Sequence, residues 1–549
     1  MENTFLSKTV LRQVLLLGLL LLIAWLYSYI DILPLRPGSV HQWRQTDCLS
    51  LADNYYQGNW NLFKPSLHIL FSDDETTGKS AGEFPLLYYF VALLWKLFGK
   101  HEYIFRLVNI AIAFWGMNAL FRLSYRLLKD VFWAVLVVVF LFASPIFAFY
   151  TNNFLINVPA FSLMLVAVYY FYRFWEDGKN KFFYASMSFF LLVGLFKIST
   201  LLVFVIIGLL FLAELSKRAR LKSQGLVFFK PKAQLIPFVL VVFGVSCWYL
   251  YARHYSNIHG GKYTLNYIQS YWVTPKVEVD AALKSLREFI FYQVMSPASW
   301  IYCLLCLIYL GVNFRRMSTP WKFIIPSVMI GYFAFVMLFF YSLNNHDYYH
   351  IDFLIVPLVL HLAFMHYLSR QEPVLFRSFL LKLFFSAFML YNVLYCANNM
   401  HLRYWGFKPD EMYRRQLLSP KVDMDNWAWH KWAYLNGPYE TATPVLRAMG
   451  IKRSDPVICP DDCSFSISLY LMDQVGWTNI GGCIKDTSDI ADRIRHGAKY
   501  MMIIDTAAIQ LPYLKQYEGH ELTPYRSLHI YDLRPYADTR NQAGRTELR

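Results

Sequence analysis

Apolar stretches of about 20 residues, the length a membrane-spanning helix needs, recur along the chain. They lie near 12–31, 104–123, 131–150, 157–175, 182–198, 199–215, 234–252, 298–314, 322–341, 352–369 and 376–397. A shorter run, 84–98, carries Lys96 and fits either a span or an amphipathic helix in the interface. From 398 onward the pattern changes. Short strand-like apolar runs at 456–459, 500–505 and 528–533 alternate with a polar helical stretch at 486–497, the pattern of a small α/β domain. No glycine-rich phosphate loop and no internal repeat interrupts it.

Basic residues collect between the apolar runs: Lys8 and Arg12; Arg122, Arg126 and Lys129; Arg173, Lys179 and Lys181; Lys217, Arg218, Arg220 and Lys222; Arg315, Arg316 and Lys322; Arg370 and Arg377. If all face the cytoplasm, every second loop is basic, as the positive-inside rule requires. That alternation holds only if 84–98 does not cross. The expectation is a polytopic α-helical membrane protein of about eleven spans, N-terminus in the cytoplasm and C-terminus outside. The run at 14–29 is longer than a signal-peptide core and lacks a small-x-small cleavage site, so it reads as the first span. Residues 1–397 then form a transmembrane module with a long outer loop at 33–103, and 398–549 an extracytoplasmic α/β domain.

Composition agrees. Hydrophobic residues make up 56% and charged residues 16%, against about 25% charged in soluble domains. This excludes a soluble multidomain protein, and disorder needs the opposite balance. The net charge of +15 is accounted for by the loop clusters, and no nucleic-acid motif accompanies it. Of 8 cysteines, Cys247, Cys303, Cys306 and Cys396 lie in apolar runs, where a thiol acts as a small hydrophobe. Cys459, Cys463 and Cys483 fall in the tail. A disulfide in an oxidising compartment and buried thiols fit them equally, and three cysteines do not complete a zinc site.

Polar residues at membrane depth carry the candidate chemistry. Lys197 interrupts an apolar stretch, and a charge at the bilayer centre costs about 2.5–3.5 kcal/mol on insertion scales. It reads either as a cation meeting an anion such as a lipid phosphate, or as a lysine snorkelling at a helix end. The run Asn344, Asn345, His346, Asp347, Tyr348, Tyr349, His350 reads either as donors and acceptors for phosphate or sugar hydroxyls, or as a short polar turn. Its His-x3-His spacing gives metal binding only weak support. The outer loop is densest: His41, Gln42, Trp43, Arg44, Gln45, Thr46 and Asp47, followed by Asp73, Asp74 and Glu75 and then by Glu83. Asp47 and Glu83 can be paired as carboxylates, one a general base towards a hydroxyl, with Arg44 a phosphate clamp. Alternatively Arg44 and Asp47 form a surface ion pair worth under about 1 kcal/mol, while Asp73–Glu75 reads as a solvated loop.

The layout resembles the bacterial GT-C glycosyltransferases related to protein O-mannosyltransferases and to the lipid A aminoarabinose transferase. Residues 52–60 (Ala-Asp-Asn-Tyr-Tyr-Gln-Gly-Asn-Trp) are similar to the stretch that follows that family's acidic motif. Residues 82–89 (Gly-Glu-Phe-Pro-Leu-Leu-Tyr-Tyr) resemble its Glu-Lys-Pro-Pro-Leu-Tyr-Tyr interfacial helix. Residues 98–107 resemble its entry to the second span, 154–160 its second outer carboxylate site, and 195–197 its Lys-containing helix junction. The chain departs where the family's Asp-Glu pair would fall on Arg44 and Gln45, where Asn157 replaces an acid, and where Phe84 replaces a lysine.

The resemblance implies an inverting hexosyl- or pentosyltransferase in the bacterial inner membrane, with its C-terminal domain in the periplasm. The donor would be a polyprenyl-phosphate sugar, and the acceptor a lipid, glycan or protein at the periplasmic face. Asp47 is the expected base. Arg44, Lys197 and His346 would bind the donor phosphate, and His41, Gln45, Glu83, Asn157, Asp347, Tyr348 and Tyr349 the substrates. No cofactor is assigned, a divalent metal stays open without support from the residues, and no nucleic-acid partner is expected. The rival expectation is a lipid-linked oligosaccharide flippase or export component.

Overall fold

The computed structural model describes residues 8–58, 60–217, 222, 226–262, 269–405, 429–505, 508 and 510–537; Arg218 and Arg220 of the basic clusters lie outside them. The chain divides into two compact units. One comprises Met1–Pro34, Phe105–Trp248 and Asn266–Val422, the other Leu35–Ile104, Tyr249–Leu265 and Asp423–Arg549.

Among the described residues, 7 helices are long and apolar enough to cross a membrane: Glu102–Leu128, Asn157–Asp177, Ile198–Leu215, Pro231–Ile258, Thr319–Leu338, Asp347–Gln371 and Phe379–Trp405. The pair Val131–Phe142 and Pro145–Thr151, bent by 77°, makes an eighth if it is one span. The bend has a sequence cause. Ser144 caps the second helix through the Phe147 amide, and Pro145 occupies its first turn, where a missing amide hydrogen costs nothing. Shorter apolar helices, Val10–Leu26, Asn180–Phe196 and Pro297–Val312, occupy the runs at 12–31, 182–198 and 298–314. Within the first unit, Lys197 adopts an extended backbone between the Asn180–Phe196 helix and a 3-10 turn, Ile198–Leu201. The run at 347–354 is a second 3-10 segment, Asp347–Leu354, leading into helix Ile355–Gln371.

In the second unit, helix Gln42–Tyr56 packs along helix Leu86–Phe98. The latter buries Leu87, Tyr88, Val91 and Trp95 and exposes Phe90, Leu93, Leu97 and Phe98, a divided surface. A four-stranded sheet follows: β1 (Val457–Cys459), β2 (Gly476–Thr478), β3 (Tyr500–Ile503) and β4 (His529–Asp532), in the order β2-β1-β3-β4. β1 pairs in parallel with both neighbours, and β4 runs antiparallel to β3. Helix Thr487–Arg495 begins on Asp486 with a reciprocal capping box. Ile458, Trp477, Ile490, Met501, Ile503 and Tyr531 are among its core residues, with Leu70 of the first loop packed against them. That loop also joins the sheet edge: Leu70 N donates to Gly476 O at 2.7 Å and Gly476 N to His68 O at 3.2 Å. Gly476 is required there, because a Cβ would lie 1.9 Å from Val457 O. Residues 35–104 thus share one compact unit with the described residues of 429–537.

Candidate active site

The Gln42–Tyr56 helix is unusual in what it buries: Gln42, Gln45, Thr46, Asp47, Ser50 and Asp53 are all enclosed. Buried polar groups persist only when hydrogen-bonded, and each has a partner here. Gln42 Nε2 donates to Pro37 O at 3.0 Å, and Gln45 Nε2 to Gly38 O at 2.6 Å and Val40 O at 3.0 Å. These two carboxamides fold the entering loop back on the helix start, where His41 takes a left-handed backbone (φ 57°).

Asp47 is 3% exposed. Its Oδ1 accepts a hydrogen bond from Ser466 Oγ at 2.9 Å. Burial pushes its carboxyl up to about 7, against the opposing pull of Arg44 and the Ser466 hydroxyl; Glu83 and Asp462 push in the same direction as burial. Arg44 pairs with Glu83 rather than with Asp47. Glu83 also accepts from the Tyr88 hydroxyl at 2.6 Å, and that hydroxyl lies 3.4 Å from Cys48 Sγ. Burial alone would raise the Glu83 carboxyl, but Arg44 and Tyr88 hold it below the ordinary carboxylate range. The two carboxylates, pushed apart by their surroundings, have the signature of an acid–base site. The surface Arg44–Asp47 pair is absent: the second carboxylate claims the guanidinium.

One turn and a half further along the same helix, Asp53 is fully buried between two cations and a histidine. Its Oδ1 lies 2.7 Å from Lys100 Nζ, and its Oδ2 lies 3.2 Å from both Arg453 Nη2 and His68 Nε2. Burial would raise the Asp53 carboxyl; His68, Lys100 and Arg453 hold it well below the usual range. Asp53, His68 and Asp473 have ligand-like spacing. Arg453 already binds Asp473 at 3.1 Å as well as Asp53, so these carboxylates are neutralised and the group does not fit a metal.

In the first unit, Lys197 Nζ lies 3.4 Å from Asp352 Oδ2 and 4.8 Å from the centre of the Tyr349 ring. Asp352 is held by Ser199 Oγ at 2.6 Å and Thr200 Oγ1 at 2.7 Å. The His346 ring packs edgewise on Tyr348 and Tyr349, with Nδ1 2.9 Å from Ser342 O. Lys197, Tyr349 and His346 therefore form one cluster. Asn157 and Asp347 have partners within the same unit. Asn157 Nδ2 donates to Tyr348 O at 3.1 Å, and Tyr150 and Arg403 both bind Asp347. Arg403, 1% exposed, is also bound to Gln293. His350 faces Tyr332 Oη at 3.1 Å, so the two histidines of the His-x3-His spacing take separate partners and do not converge as ligands.

Sequence reading missed Ser466, Tyr88, Asp53, His68, Arg453 and Arg403. Asp53 and Tyr88 stood inside the two motifs that carried the resemblance; the others had no local signal. Cys459, Cys463 and Cys483 are free thiols, buried, exposed and partly exposed in turn.

Residues 81–252 match the family model described as dolichyl-phosphate-mannose-protein mannosyltransferase. No curated protein matches the chain in sequence. Among solved structures, ArnT from Cupriavidus metallidurans in the apo state is similar with a TM-score of 0.52 at 11% identity, covering 96% of this chain and 98% of that one. The same protein bound to undecaprenyl phosphate gives 0.53 at 12% identity, over 94% and 97%. The mycobacterial arabinofuranosyltransferase AftD gives 0.54 at 13% identity, over 96% of this chain and 40% of that one. With its long apolar helices and this shared architecture, the chain is a polytopic membrane protein with the GT-C glycosyltransferase fold.

Proposed function

We propose that the protein transfers a sugar from a polyprenyl-phosphate donor to a hydroxyl or amine of an acceptor at the periplasmic face of the inner membrane. The observation that carries the proposal is the buried Asp47, whose carboxyl titrates near 7 beside an Arg44–Glu83 pair. A general base works best when its pKa lies near the operating pH. Asp47 takes the proton of the acceptor group as that group attacks the anomeric carbon. The bond from that carbon to the phosphate oxygen breaks, and polyprenyl phosphate leaves with the electron pair, giving inversion. Arg44, oriented by Glu83, stabilises the phosphate charge; in the first unit by itself, Lys197 beside His346 is a cationic group suited to a lipid phosphate. In the second unit His41 orients substrate and Gln45 holds the loop that enters the helix; in the first, Tyr348 and Tyr349 orient substrate while Asn157 and Asp347 hold the backbone and Arg403 around them. That one structural neighbour, ArnT, has been seen with undecaprenyl phosphate supports the donor class.

The test is to incubate the purified protein, in lipid, with a panel of polyprenyl-phosphate sugars and envelope acceptors, and to follow sugar-free polyprenyl phosphate by mass spectrometry. Release that is lost in Asp47→Asn supports the proposal. Donor binding with no release from any donor points instead to a flippase.

A further inference from the structure

Helices Leu202–Leu215 and Thr319–Leu338, both in the first unit, pack against each other in opposite directions. They meet closely at one end, where a Cβ at Gly331 would run into the Leu202 side chain. Towards the other end a groove of about 660 Å³ opens between them, within the range of small-ligand sites. Leu209, Leu212, Ala213 and Leu215 line it from the first helix, and Phe323 and Ser327 from the second. Leu209, Leu212 and Leu215 are exposed, so the groove opens on the flank of two spans, where a bilayer presents its acyl chains.

The polar end of the groove is cationic. Lys217 directly follows the lining Ser216, and Lys322 directly precedes the lining Phe323. Lys322 Nζ donates to Arg315 O at 3.0 Å, which holds the turn Phe314–Arg316, with Arg315 and Arg316, against the start of the second helix. Among the described residues, none of these four cations has a carboxylate partner. The sequence explains why: residues 215–277 and 289–346 contain no aspartate or glutamate. Glu214, beside the lining residues, accepts instead from the Val227 and Phe228 amides at 3.1 and 2.7 Å. Two separate loops thus bring unneutralised charge to the mouth of one apolar groove. That combination fits an amphipathic anion, with its chain between the helices and its headgroup among the cations.

The groove is not the proposed donor site. Lys197 stands at the opposite end of the Ile198–Leu215 span, about 27 Å away at 1.5 Å per residue. A lipid held here would belong to the other leaflet, the one on the side of the basic loops.

We infer that this groove is a binding site for an anionic glycerophospholipid, whose phosphate is met by Lys217, Lys322, Arg315 and Arg316. The inference makes no use of the transferase reading.

The test is native mass spectrometry of the full-length protein in a neutral detergent. The probes are phosphatidylglycerol, phosphatidylcholine with the same acyl chains, and polyprenyl phosphate. The first phosphatidylglycerol should bind about tenfold or more tighter than phosphatidylcholine, the effect of one or two cations on a lipid headgroup. Lys217→Gln with Arg315→Gln should remove most of that preference. Ala213→Phe keeps every charge but fills the groove, and should weaken phosphatidylglycerol binding at an unchanged melting temperature. Saturating polyprenyl phosphate should leave phosphatidylglycerol bound. Equal binding of the two phospholipids overturns the inference, as does wild-type preference in the double variant or wild-type affinity in Ala213→Phe. Displacement by polyprenyl phosphate would also overturn it, by giving the groove to the donor.

Discussion

Ser466 donates a hydrogen bond to Asp47 across 419 positions of sequence, at 2.9 Å. The proposed base is therefore not the property of the first loop alone: a hydroxyl from the tail stabilises its charged form, while burial opposes that form. These opposed influences set a pH dependence with a definite sign. Unfolded, the carboxyl ionises near its ordinary value; folded, near 7. Between those values the folded state binds the proton more tightly, so this group's contribution to stability is full at acid pH and is lost as pH rises through about 7. Asp47→Asn escapes that loss. Its melting temperature should gain on the wild type from about pH 4 to about pH 7 and keep a constant lead above, while sugar release falls by roughly 10²–10⁴-fold. A lead that does not change with pH would refute the assignment.

Ser466→Ala and Arg44→Gln each remove an influence that lowers the Asp47 carboxyl. Both should move the acid limb of the rate–pH profile to higher pH. The two differ otherwise. Ser466→Ala should keep donor affinity, because its hydroxyl serves only the base. Arg44→Gln should also weaken donor binding and strand Glu83, whose partner it is. A Ser466→Ala enzyme with reduced rate but an unshifted limb would show the hydroxyl to be merely structural.

Local pattern made much of this architecture legible. Apolar run length is a property of neighbouring residues, and the runs read from the sequence fall on helical segments, 131–150 on two helices bent at Ser144–Pro145; the strand-like runs at 456–459, 500–505 and 528–533 are β1, β3 and β4. What stayed hidden depends on distant residues. β2 is only Gly476–Thr478 and opens on a glycine, a poor strand former made obligatory by its close approach to Val457. Spacing offers Arg44 either a phosphate or Asp47, one helical turn away, because it sees only neighbours; Glu83, 39 positions on, is the carboxylate that Arg44 binds. Arg453 and Asp53 lie 400 positions apart and meet, which no periodicity announces.

That last pair makes the tail a structural requirement for the first loop. Asp53 is fully buried, Arg453 and Lys100 are its charge partners, and the His68 ring lies against it. Arg453→Met should destabilise the protein by on the order of 2–3 kcal/mol, below the roughly 3–5 kcal/mol of a fully stranded buried charge because Lys100 remains. The penalty should shrink as pH falls below about 4, where the unfolded carboxylate takes up its proton and the advantage of a depressed folded value is lost. Limited proteolysis should show the 60–80 region of the loop cut sooner in this variant. Equal protection and an unchanged melting temperature would show the clamp to be redundant.

Lys197 offers a test of donor binding in the first unit by itself. Its ammonium is shared between Asp352 and the Tyr349 ring. Lys197→Ala should lower affinity for polyprenyl phosphate by about tenfold or more, and Lys197→Arg should restore part of it, since charge rather than shape is at issue. Tyr349→Leu should weaken binding less, keeping the charge and losing the aromatic face. Unchanged affinity in Lys197→Ala would assign the lysine to helix packing.

Asp347 and Arg403 supply a case in which a double variant is more informative than either single one. Both are buried, and Asp347 also accepts from Tyr150. Arg403→Met removes the cation and leaves Asp347 buried with hydroxyl support only, a loss of about 3–5 kcal/mol. Asp347→Asn removes the anion and leaves Arg403 on Gln293, with a similar loss. Together the two changes strand no charge, so the double variant should be more stable than the sum of the single losses predicts, with a coupling of about 1–3 kcal/mol in chemical unfolding. Sugar release should recover with stability in the double variant if Asp347 only positions its neighbours. If Asp347 touches substrate, stability returns and release does not.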